Sequence, residues 1–158
     1  MSRAVTFAWD ACVRHTLNGR KISNENAEEL ASRNVLLSEA RPPDWLNETS
    51  AHWGTIQAAV VNSDTGPVWI QASELGACRV VVETKEAHPN VVRSFLSIFD
   101  DSEGDWNVEK QSETDTGLKT TWYKARLNDE FALQATFSRT NETIPHEVAA
   151  IIVTLGLV

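Results

Sequence analysis

Phe131-Ala132-Leu133-Gln134-Ala135-Thr136-Phe137-Ser138 sets Phe131, Leu133, Ala135 and Phe137 at alternate positions, with smaller or polar residues between them. A period of two sends successive side chains to opposite faces of a strand, so this stretch predicts a half-buried strand in a sheet with one covered face. Such a sheet is typically antiparallel and backed by helices on one side, which decides the class as α+β.

Working backwards, Asn128-Asp129-Glu130 has turn composition and separates this strand from another over Lys119 to Leu127. Asp115-Thr116-Gly117 is a second turn, preceded by a strand over Trp106 to Glu113. The chain breaks at His88-Pro89-Asn90 and then places Val91, Val92, Phe95, Leu96 and Phe99 on one helical face. Before that break lie strands over Thr55 to Val61, Pro67 to Ala72 and Cys78 to Thr84, the first two joined by the turn-rich residues Asn62 to Gly66. Working forwards, Pro145 suits a first helical turn and Val148 to Val158 is apolar nearly all round, which predicts a final buried helix.

The first third has a period near 3.6. Val5, Ala8, Trp9, Cys12, Val13 and Leu17 form one helical stripe that stops at Asn18-Gly19. A second helix is expected from Ser23 or Asn24 to Asn34. The organisation that follows is a single α+β domain with a helical pair over 1–37, a connecting segment over 38–54, a βββα unit over 55–100 and a second over 101–158. This amounts to an antiparallel sheet of about six strands covered by helices. The common plan, with Asp-Thr-Gly turns 51 residues apart, fits either a duplicated βββα unit or the ordinary recurrence of this order in antiparallel sheets.

The formal charge of −8 is concentrated. Residues 100–115 hold seven acidic side chains and one basic, net −6, in Asp100, Asp101, Glu103, Asp105, Glu109, Lys110, Glu113 and Asp115. Two readings compete: a solvated loop and edge strand whose like charges oppose aggregation, or a docking surface for a basic partner. The acidic balance excludes a generic nucleic-acid binder, which needs clustered Lys and Arg. Arg14, His15, Arg20 and Lys21 gather at the Asn18-Gly19 turn, where a helix C-terminus attracts cations in any case.

Chemical motifs are few. The turns at Asp64 and Asp115 share Asp-Thr-Gly with aspartic proteases, but their neighbours and the short spacing suit hairpins instead. Cys12 and His15 make half of a zinc site, and His52, Cys78, His88 and His146 add no ligand spacing. Both cysteines are therefore read as core thiols, and no metal or cofactor is expected. With no signal peptide evident at the start and no long apolar run, the expected location is the cytoplasm, with no membrane contact.

Six Trp against one Tyr is the unusual compositional feature, and Trp is enriched at binding hot spots. Alternation must split Trp122 from Tyr123, sending one to the core and the other outward. The functional expectation is a small acidic protein-binding module in the manner of an immunity protein, antitoxin, inhibitor or secretion chaperone, resembling the last in element order alone. Its candidate partner surface is Asp100, Asp101, Glu103, Asp105, Trp106, Glu109, Glu113 and Asp115. The partner expected is another protein with a basic surface, and self-association is left open. The alternative is a ligand-binding or enzymatic domain with a pocket between sheet and helices, and no convergent catalytic set supports it.

Overall fold

The stripe that begins the chain forms helix α1 (Arg3–Asn18), which buries Ala4, Val5, Phe7, Ala8, Trp9, Ala11 and Cys12. It ends where Gly19 takes φ +65°, a conformation glycine adopts without steric penalty, and its N–H donates to the His15 carbonyl at 2.8 Å. The computed structural model describes residues 3–19, 37–38, 56–61, 67–84, 89–100, 106–113, 119–139 and 149–157. The helix expected after Ser23 and the turns at Asp64 and Asp115 lie outside these residues.

Among the described residues eight strands follow: β1 (Leu37–Ser38), β2 (Ile56–Val61), β3 (Val68–Ser73), β4 (Cys78–Thr84), β5 (Asn107–Glu113), β6 (Lys119–Arg126), β7 (Ala132–Arg139) and β8 (Ala149–Leu157). A second helix, α2 (Pro89–Asp100), lies between β4 and β5. The strands form one antiparallel sheet in the order β1-β2-β3-β4-β8-β7-β6-β5. The class is α+β, as expected, but the strand count and arrangement differ from the expectation of about six.

Two corrections account for the difference. Val148 to Val158 does not close the chain as a helix; β8 is a strand in the middle of the sheet, paired with β4 from Cys78↔Leu155 to Thr84↔Ala149 and with β7 on its other side. A central strand reads as a continuous apolar run and shows no alternation, so periodicity does not separate it from a buried helix. The β-branched Ile151, Ile152, Val153 and Thr154 favour the extended form, and Gly156 disfavours a helix. The second correction is β1, which straddles the expected boundary between helical pair and connecting segment; two residues carry no period. Among the described residues, a run of one helix followed by four strands occurs twice in chain order. In each run the first strand lies at a sheet edge, and the last strands, β4 and β8, meet in the centre.

Both helices cover the same face. Val61, Ile70, Ala72, Val80 and Val82 of the first half, and Tyr123, Ala125, Leu133, Ala135 and Phe137 of the second, join α1, Phe95 and Phe99 in one core. Phe99 organises its aromatic part: it stacks on Tyr123 with centroids 4.0 Å apart and meets Trp9 edge-on at 5.5 Å and Trp106 at 5.3 Å. Such pairs add about 0.5–1.5 kcal/mol beyond the area they bury. The core-thiol reading of the cysteines is overturned. Cys12 of α1 is disulfide-bonded to Cys78 of β4, tying the helix to the sheet across 66 residues of chain.

The end of α1 is held by two further bonds. His15 Nε2 donates to the Ser73 carbonyl at 2.7 Å, and Thr16 Oγ1 to the Gly76 carbonyl at 2.8 Å. The acceptors are the last residue of β3 and Gly76 of the β3–β4 turn, which has φ +94°. Among the described residues, no helix is long and apolar enough to cross a membrane.

Candidate functional site

β5 leaves the core. All seven of its residues, Asn107 to Glu113, are exposed, so neither face of the strand is covered. It lies at the edge of the sheet and pairs with β6 alone. A bulge interrupts the register between Val108↔Tyr123 and Lys110↔Trp122, with Glu109 as the extra residue. Alternation in the sequence reads a strand here but does not reveal that both faces stay open, because that depends on how far the helices reach.

Of the acidic surface expected from the sequence, Asp100 is exposed at the last residue of α2, and Glu109 and Glu113 are exposed on β5. Asp101, Glu103, Asp105 and Asp115 lie outside the described residues. Trp106 differs in setting from these carboxylates: it is half-buried, with its ring against Phe99 and, at 6.0 Å, Trp9. It supports the core behind β5.

Two basic side chains beside this edge are engaged, and a third, Lys119, stands opposite Glu113 in the register. Lys110 Nζ lies 5.0 Å from the centroid of Trp122, a cation–π arrangement, and Lys124 Nζ is 3.5 Å from Glu109 Oε1. Both ends of the Lys124–Glu109 pair are close to half exposed, so it contributes little to stability and mainly orients Glu109. Trp122 and Tyr123 split between faces as alternation requires: Tyr123 is buried against Phe99, while the half-buried Trp122 carries Lys110 on the opposite face.

A second polar feature lies on the sheet face away from the helices. Gln71 of β3 and Arg79 of β4 are register partners, both buried, and Arg79 Nε donates to Gln71 Oε1 at 2.7 Å. Burial lowers the Arg79 guanidinium from its usual value to about 10, which leaves it charged at neutral pH. Gln71 Nε2 is buried without a hydrogen-bond partner. The sequence gives no sign of this pair beyond two polar residues within apolar strands.

The exposed large apolar side chains gather at one end of the sheet. Leu17 ends α1, Leu75 lies in the β3–β4 turn, Leu127 and Phe131 flank the β6–β7 turn, and Leu157 ends β8. The register places them together, since Cys78↔Leu155 and Leu133↔Leu157 align the start of β4, the end of β8 and the start of β7. Val108, aligned with Tyr123 near the end of β6, is the nearest exposed apolar residue on β5.

Neither residue of the half zinc site retains a free metal-binding geometry: Cys12 is in the disulfide and His15 Nε2 is bonded to Ser73. The described part of the helix–sheet interface, where the alternative reading sets a pocket, is filled by Phe7, Phe95, Phe99, Tyr123 and Phe137. No protein-family model, curated protein or solved structure matches this chain.

Proposed function

We propose that the chain is a protein-binding module whose acidic stretch, residues 100–115, receives a basic surface of another protein. The observation that supports it most is β5: a seven-residue edge strand, exposed on both faces, within the segment that holds six of the eight net negative charges. Clustered charge of one sign speeds encounter with an opposite partner and rejects like-charged ones. An immunity protein, antitoxin, inhibitor or secretion chaperone would use such a surface, and each is a form of this one reading. On compartment, the Cys12–Cys78 bond favours an oxidising environment over the cytoplasm expected from the sequence, because disulfides rarely persist where thiols are kept reduced.

The test is simultaneous replacement of Asp100, Asp101, Glu103 and Asp105 by Lys. The variant keeps the circular dichroism spectrum of the parent and loses salt-sensitive capture of its partner from a lysate. Capture that is unchanged in amount and salt dependence removes the acidic stretch from the proposal.

A further inference from the structure

We infer that β5 is the place where an extended basic segment of another protein adds a ninth strand to the sheet. The inference rests on the binding-module reading and specifies how the partner is held. The sheet has two edges, and of β1, at the other edge, only Leu37–Ser38 is described, so β5 is the edge whose backbone can be followed. β5 offers seven residues, and its outward N–H and C=O groups face no strand among the described residues. An extended peptide docking there gains main-chain hydrogen bonds for affinity and alternate side-chain contacts for specificity.

Charge decides the occupant. A bulge and charged side chains protect an edge against pairing with other chains in general, and β5 has both at Glu109 and Lys110, so regular pairing is open only beyond the bulge. Two copies joined at β5 would bring together two segments of net −6 each. A basic strand meets the opposite situation. Lys110 is already over Trp122, Lys124 is paired with Glu109, and Glu113 has no ion-pair partner among the described residues. Beyond the bulge, Lys110 to Glu113 follows β6 in regular register, so Gln111 and Glu113 share the helix-side face with Thr121 and Lys119. An added strand with Lys or Arg at alternate positions sets them beside Glu113 on that face.

The experiment uses the full chain and three synthetic probes: a seven-residue peptide alternating Lys with Val or Thr, and two copies N-methylated on the amides of one edge or the other. The expected result is binding of the parent peptide with slowed hydrogen exchange at amides between Lys110 and Glu113. One of the two N-methylated peptides then binds at least about tenfold more weakly, since it cannot donate to β5. Equal binding of all three overturns strand addition while leaving the acidic module standing. If no peptide binds at low salt, both readings fall. Concentration-dependent self-association in sedimentation that protects the same amides replaces the basic partner with a second copy and overturns the inference.

Discussion

Cys12 and Cys78 join the middle of α1 to the first residue of β4, on the sheet face that both helices cover. The bond closes a long loop, with a sequence separation of 66. In the chain-entropy account, a loop of this size is worth about 4 kcal/mol, with measured values commonly in the range of about 2–4 kcal/mol. Replacing both residues by Ala is expected to lower the melting temperature and to make it insensitive to dithiothreitol. The parent protein shows no free thiol until unfolded in reductant. Two reactive thiols in the freshly purified native protein would show that the bond does not form.

Phe99 lies in the last turn of α2 and touches Trp9, Trp106, Tyr123 and Phe137, so it joins both helices to the second half of the sheet. Phe99→Ala is expected to cost about 3–5 kcal/mol in urea unfolding, the usual loss for a buried aromatic truncated in a packed core. Phe99→Leu, which retains most of the volume, costs less. Leu75→Ser at the exposed tip of the β3–β4 turn changes stability by no more than about 0.5 kcal/mol and serves as the control.

The elements legible in the sequence are those whose pattern is local. The α1 stripe ends at its glycine, β4 spans Cys78–Thr84 as expected, and β7 differs from its expected limits by one residue at each end. β8 was hidden because a central strand has no polar face to mark its period, and β1 because it is two residues long. Cys12 fits the helical stripe as an apolar residue, so only the tertiary approach of Cys78 reveals its bond. The acidity around β5 was legible as composition. That β5 has no covered face was not, since coverage depends on where α1 and α2 lie across the sheet.

The β6–β7 hairpin depends on one side chain. Asn128 Oδ1 accepts from the backbone N–H groups of Glu130 and Phe131, both at 2.8 Å, while its own N–H donates to the Phe131 carbonyl at 3.2 Å. Asn128→Ala leaves two donors to water and is expected to cost about 1–2 kcal/mol. Asn128→Asp keeps an acceptor at the same atom and restores most of the loss. Equal destabilisation by Ala and Asp would assign the effect to something other than these two bonds.

Arg79 and Gln71 give a prediction whose sign follows from burial. The folded protein holds the Arg79 guanidinium at about 10, below its ordinary value, because burial disfavours the charged form. Below pH 10 the side chain is protonated in both folded and unfolded states, so it adds no slope to stability. Above about pH 10, up to the ordinary arginine range, the unfolded chain binds the proton more tightly, so this residue's contribution makes stability rise with pH. Lysines and the tyrosine also titrate there, so the useful quantity is the parent minus Arg79→Met. That difference is flat from pH 6 to 9, and above pH 10 it moves in favour of the parent. At neutral pH, Arg79→Met removes the donor to Gln71 Oε1 and leaves the buried amide unsatisfied at both ends, at a cost of about 1–3 kcal/mol. Adding Gln71→Leu removes the stranded amide, so the double variant is expected to be more stable than Arg79→Met alone. Additive losses in this cycle would show that the two side chains are not coupled.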